Sequence, residues 1–150
     1  MDLNFLFACA HHLAVFTLVA VFAAEFALLR PGLNGAQLRQ LARIDAAYGG
    51  VATLVIVIGI LRVWLGGTDP WYYLTNHAFW GKMAAFLVMG LLTIQPTVAI
   101  RKWVKAGTEV ADYMVPAEQI ARSRRFVHLQ AGVLVLIPLF AAAMARGYGS

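Results

Sequence analysis

The sequence predicts an all-α integral membrane protein, an antiparallel four-helix bundle with both termini on the non-cytoplasmic side. Three observations predict it. Four apolar stretches, at residues 3–29, 48–65, 79–100 and 127–145, account for most of the 150 residues, and a bilayer-crossing helix needs about 20 mostly apolar residues. The composition is 61% hydrophobic and 13% charged, with a mean hydropathy of +0.73. Soluble domains carry about 45–50% apolar residues even when Gly is counted, so this chain lacks the charge to cover a water-facing surface. Finally, the basic residues are partitioned. Arg30, Arg39, Arg43, Arg101, Lys102, Lys105, Arg122, Arg124 and Arg125, nine of the twelve, lie in the first and third connections. Only Arg62, Lys82 and Arg146 lie on the opposite face. The positive-inside rule then puts the first and third connections in the cytoplasm. The termini and second connection face the other side, the periplasm of a bacterial inner membrane. The net charge of +5 is loop charge of this kind, and no nucleic-acid partner is expected.

Each element has its own signals. The first stretch follows Met-Asp-Leu-Asn-Phe, which lacks a basic leader region, so span one is expected to be retained. Pro31-Gly32 ends it, because Pro cannot continue a helix and Gly tolerates the turn. Asn34 suits an N-cap for a helix running from Gln37 into span two. Along it Leu38, Leu41 and Ile44 have helical spacing, which suits an interfacial segment. Gly66-Gly67-Thr68-Asp69-Pro70 is a turn cluster. Trp64, Trp71, Tyr72, Tyr73 and Trp80 around it form an aromatic belt at the headgroups. Thr75 or Asn76 can cap the third helix. Pro116 suits a first helical position and Glu118 the same N-terminal turn, so the fourth helix begins near Pro116, outside the lipid.

Polar side chains inside a bilayer are costly, so they mark candidate sites. Toward the outer side lie His11, His12, Arg62, His77 and Lys82; toward the cytoplasm lie Glu25, Asp45, Gln95, His128 and Gln130. His11 is about 12 Å into its helix at about 1.5 Å per residue. His12 points about 100° away from it, whereas Glu25 returns to within about 40° of the His11 face. His11 and Glu25 are therefore expected to face the core, and His12 a neighbour. Arg62 and Lys82 either snorkel to the headgroups or form a basic pair over the histidine, able to hold a carboxylate or a haem propionate. Two axial nitrogens of one iron lie only about 4 Å apart, twice a metal–nitrogen bond. His11 and His128 are about 15–20 Å apart in depth, so they cannot share one iron; His77 is the candidate to oppose His11 or His12. Glu25 and Asp45 are expected to pair with Arg30 or Arg43, and a proton path through Glu25 and His128 is a second use for them. Gln95-Pro96 suggests a kink with an interhelical hydrogen bond. Gly49, Gly50 and Gly59 in span two allow close backbone approach, and Gly49 and Thr53 fit a small-residue packing pattern. The single Cys9 permits no internal disulfide, and no CxxCH or zinc pattern is present. Copper stays open, since Cys, His and Met are suitable ligands, but nothing in the spacing brings Met83 or Met89 to Cys9.

The early His pair, Gly59-Ile60-Leu61-Arg62, Trp71-Tyr72-Tyr73 with Asn76, and Phe79-Trp80-Gly81-Lys82 resemble a bacterial family of small predicted four-helix membrane proteins of unknown function. The resemblance covers nearly the whole chain. More distantly, the chain is similar to the HemJ-type protoporphyrinogen oxidases and to the copper-resistance membrane domain. In the HemJ-type family an early His is a haem b ligand candidate and a Lys in helix three matters for function. His11 or His12, and Lys82, match those positions. The HemJ-type Trp and Gly–Leu–Phe–Tyr–Leu–Pro–Arg run are absent between Phe16 and Arg30, so porphyrinogen oxidation is not implied. The leading expectation is a b-type haem protein of the lipid bilayer, with His11 or His12 on iron and Arg62 and Lys82 on the propionates, serving a membrane redox partner or a homo-oligomer. The alternatives are a non-enzymatic accessory or assembly subunit and a small anion transporter.

Overall fold

A computed structural model describes residues 3–148. They form α1 (Leu3–Leu28), α2 (Gly35–Leu65), a short α3 (Pro70–Thr75), α4 (His77–Glu109) and α5 (Ala117–Ala145). The four long helices are each apolar enough and long enough to cross a bilayer. They have 26, 31, 33 and 29 residues, so at about 1.5 Å per residue they exceed a hydrocarbon core of about 30 Å.

Helix ends and lipid boundaries are therefore different things in this chain. α2 begins at Gly35, far ahead of the apolar stretch at 48, and α4 continues past Arg101, Lys102 and Lys105. Ala, Leu, Arg and Gln are good helix formers in water as well as lipid. Loss of apolar character marks where lipid ends, and the backbone ladder goes on. The third connection shrinks accordingly to residues 110–116, and all six of its expected basic residues stand on helical projections.

The turns follow side-chain chemistry. Asn76 is fully buried, and its side chain accepts hydrogen bonds from the amides of Ala78 and Phe79 at the start of α4. Asp69 accepts from the Trp71 amide, with Pro70 next to it at the first position of α3. That extra turn of helix was not apparent from the loop composition. Asn34 stands at the N-cap of α2 without a side-chain cap bond, and pairs instead through its backbone with Met114. Pro116 is the N-cap of α5, one position earlier than the sequence suggested.

α1 packs on α2, α2 on α4, and α4 on α5. Val115 donates its amide to the Leu33 carbonyl at 3.2 Å, and Arg124 reaches the Leu29 carbonyl at 3.2 Å. The first and third connections thus meet at one end, the basic end. At the other, aromatic end, the Tyr72 hydroxyl donates to the Met144 carbonyl near the end of α5, at 3.3 Å. Burial is uneven between them. Leu29, Leu33, Leu38, Leu41, Ile100, Trp103 and Ile120 are at most 2% exposed, and all lie at the basic end. Trp103 also donates its indole N–H to Gln119 at 2.7 Å. That end is packed like a water-soluble core, where the hydrophobic effect operates. Nearer the middle of the bundle Ala14, Leu18, Phe22 and Glu25 form the buried stripe of α1 at helical spacing.

Candidate functional site

Three of the five outer candidates converge. His11 is half-buried on α1, and its ring rests on Gly59 of α2: a Cβ at Gly59 would lie 3.5 Å from His11 Cε1 and 3.9 Å from Nδ1. No side chain at 59 means the imidazole can lie against the backbone. One turn on, Arg62 is half-buried as well. Lys82 enters from α4, with Nζ 5.3 Å from the centre of the Phe79 ring, a cation–π distance. The positive charges of Arg62 and Lys82 both act on His11, and on one another. Nδ1 of His11 and Nε of Arg62 are buried without a hydrogen-bond partner. Three helices thus aim nitrogen at one region of the aromatic half.

The backbone around this triad is tight. Any side chain at Gly66 would strike the Arg62 carbonyl, which the Gly66 amide caps. Next to Lys82, a Cβ at Gly81 would fall 2.8 Å from the Phe140 ring, so α4 and α5 approach closely there. Grooves lined by Leu91, Gln95, Lys102 and Arg122, and by Pro31, Arg124 and His128, lie toward the basic end, away from the triad.

The other two outer candidates stand apart. His12 is exposed and donates its Nδ1 proton to the Ala8 carbonyl on its own helix, at 2.6 Å. His77 is exposed at the start of α4. Cys9 is exposed too.

A second set of polar groups lies deeper, toward the basic end. Asp45, 5% exposed, accepts from the Thr97 hydroxyl at 2.6 Å. Gln130 is buried and accepts from Thr93 at 3.2 Å and from Tyr48 at 3.4 Å. The Tyr48 ring packs on Phe22, one turn before Glu25. Glu25 is 2% exposed, and its Oε2 has no hydrogen-bond partner. The charge of Asp45 acts on it.

A model of one family, described as a predicted membrane protein family, DUF2214, matches residues 3–149. The chain belongs to the DUF2214 family. No curated protein and no solved structure matches it.

Several finer expectations for this DUF2214 protein need correction. Glu25 and Asp45 do not pair with Arg30 or Arg43, which are exposed; Asp45 feels Arg101 from α4 instead. Gln95 makes no interhelical hydrogen bond through its Oε1, which is buried and unpartnered. Of the span-two glycines expected to allow close approach, Gly59 meets the His11 ring as expected, whereas Gly49 and Gly50 meet nothing nearby; Gly81 on α4 is a further close approach. His128 is tilted against Phe26, ring centres 4.9 Å apart with 58° between the planes, and donates to Arg124's carbonyl at 2.6 Å. Sequence reasoning missed Tyr48, Thr93 and Thr97. The signal was present: Thr93 and Thr97 share a helix face, Tyr48 falls three residues after Asp45, and all lie at a depth similar to Glu25 and Gln130.

Proposed function

We propose that this DUF2214 protein is a bundle of antiparallel membrane helices that binds an anionic group at His11, Arg62 and Lys82. The observation carrying this reading is the convergence of those three side chains from α1, α2 and α4, with the His11 and Arg62 nitrogens lacking partners. A buried polar group without a partner is costly, and three nitrogenous groups sharing one region in lipid are offset best by negative charge. The helix directions are supported by neighbouring pairs that run in opposite order: His11 with Gly59 and Phe22 with Tyr48 on α1 and α2, and Gly81 with Phe140 and Thr93 with Gln130 on α4 and α5. The nine basic residues support a cytoplasmic basic end. The triad would then lie in the outer half of a bacterial inner membrane, with both termini periplasmic.

The anionic group we favour is a b-type haem. The donor set fits one imidazole and two cations that would hold the iron and the propionates, while His12 and His77 are exposed and stand apart. When bound, haem would supply one-electron chemistry to a membrane-soluble partner. The chain's share would be to orient the group through His11, neutralise its carboxylates and keep water away. The visible spectrum of the detergent-purified protein from haem-supplemented cells tests this. A Soret band that survives washing and is lost in His11→Ala, yet remains in His12→Ala, is the expected result. A colourless preparation would overturn the haem assignment. The anion site itself is tested by uptake of small carboxylates into proteoliposomes and by their binding to the purified protein. Lys82→Gln should weaken whichever is observed, and the absence of both would overturn it.

A further inference from the structure

The polar network toward the basic end serves no part of the triad, and it has an unmet requirement. Its hydroxyl donors are already committed. The Thr97 hydroxyl is given to Asp45, the Tyr48 hydroxyl to the Gln130 oxygen, and the Thr93 hydroxyl is shared between that oxygen and the Met89 carbonyl on its own helix. What remains is an oxygen, Oε2 of Glu25, enclosed on a side chain that is 2% exposed and provided with no donor. The neighbouring charge on it comes from a second carboxylate, Asp45. Charged groups on the surrounding helices are engaged elsewhere or stand at the rim. Arg101 of α4 acts on Asp45 from an exposed position. Arg124 of α5 is spent on the Leu29 carbonyl. His128 of α5 is exposed beside Phe26 and bonded to its own helix. Arg43 of α2 is exposed.

Two carboxylates in an apolar interior, one without a hydrogen-bond donor, are not both held as anions unless something positive joins them. The smallest group that satisfies an enclosed oxygen is a proton, which turns the acceptor into a donor. We propose that Glu25 and Asp45 form a proton-binding site in the membrane interior, in which Glu25 carries the bound proton and Asp45 remains the carboxylate. On uptake, one proton from water at the basic end adds to the Glu25 carboxylate, which becomes a neutral acid near the Asp45 charge. Release reverses this, and no other bond changes. The site rests on its own residues and stands whether or not the triad binds an anion.

Infrared spectroscopy of the purified protein in lipid bilayers tests it. At neutral pH the wild type should show a carboxylic-acid carbonyl band that shifts in heavy water, disappears as pH is raised, and is perturbed in Asp45→Asn. Glu25→Gln keeps the shape of the side chain and should remove the band with the helical circular dichroism unchanged. The wild-type pH titration stands alone if a variant fails to fold. No acid band at neutral pH, or a band unaffected by Glu25→Gln in a folded variant, overturns the proposal.

Discussion

His11 is where a single missing side chain decides a geometry. At 3.5 Å from the imidazole, a Cβ on Gly59 would make ordinary van der Waals contact, so Gly59→Ala should leave His11 in place. Gly59→Leu needs the volume the ring occupies and should displace it. Any ligand signal lost in His11→Ala should be lost in Gly59→Leu and kept in Gly59→Ala, read by the same spectrum or binding assay. Gly81 is tighter, with 2.8 Å between its Cβ position and Phe140. Gly81→Ala should therefore lower thermal stability in detergent, and Phe140→Ala should be less damaging in the Gly81→Ala background than alone, a coupling that a double-mutant cycle measures. At this scale the sequence was informative about direction. The fourteen-residue interval between His11 and Glu25 put both on the inward face, and the structure buries Glu25 and half-buries His11. It could not show which glycine a histidine leans on, because that depends on the register between α1 and α2, which no local pattern encodes.

The helices differ in what holds them. Asn76 is completely buried and caps α4 with two hydrogen bonds, so Asn76→Ala should cost about 0.5–2 kcal/mol, measured by denaturant titration in mixed micelles. At the basic end, Leu41 and Ile120 are 0% exposed, and truncating either to Ala should cost about 2–5 kcal/mol. Leu139, 60% exposed on the lipid-facing side of α5, should lose far less in the same assay. This contrast would show that the projecting ends are stabilised by exclusion of water, whereas the spans rely on contact and hydrogen bonding. Four crossing helices were readable from apolar length alone. The start of α2 was readable too, through Asn34 as its N-cap; the reach of α4 to Glu109 was not, because that helix leaves the lipid without breaking and hydropathy registers only the change of solvent. The cap at Asn76 was legible as a residue type, and Asp69 only as a turn residue; the helical turn between them was not, since six residues carry no measurable period.

Across the whole molecule, charge sets orientation. If the basic end is cytoplasmic, single cysteines at Asp112 and at Thr68, introduced after replacing Cys9, should react with a membrane-impermeant maleimide from opposite sides of the membrane. Labelling of Thr68→Cys in intact spheroplasts, with Asp112→Cys protected until lysis, is the expected pattern. The division of polar residues into two depths was also legible, because it followed from topology. Their internal wiring was not: the outer three meet across α1, α2 and α4, and the inner six across all four long helices, through separations that only the folded arrangement reveals. The backbone pairing of Leu33 with Val115 has one more implication. It stitches the loop of the first helical pair to the loop of the second, independently of the polypeptide that links the pairs through Gly67. A gene divided at that linker should therefore yield two fragments that find each other in the bilayer and purify as one particle.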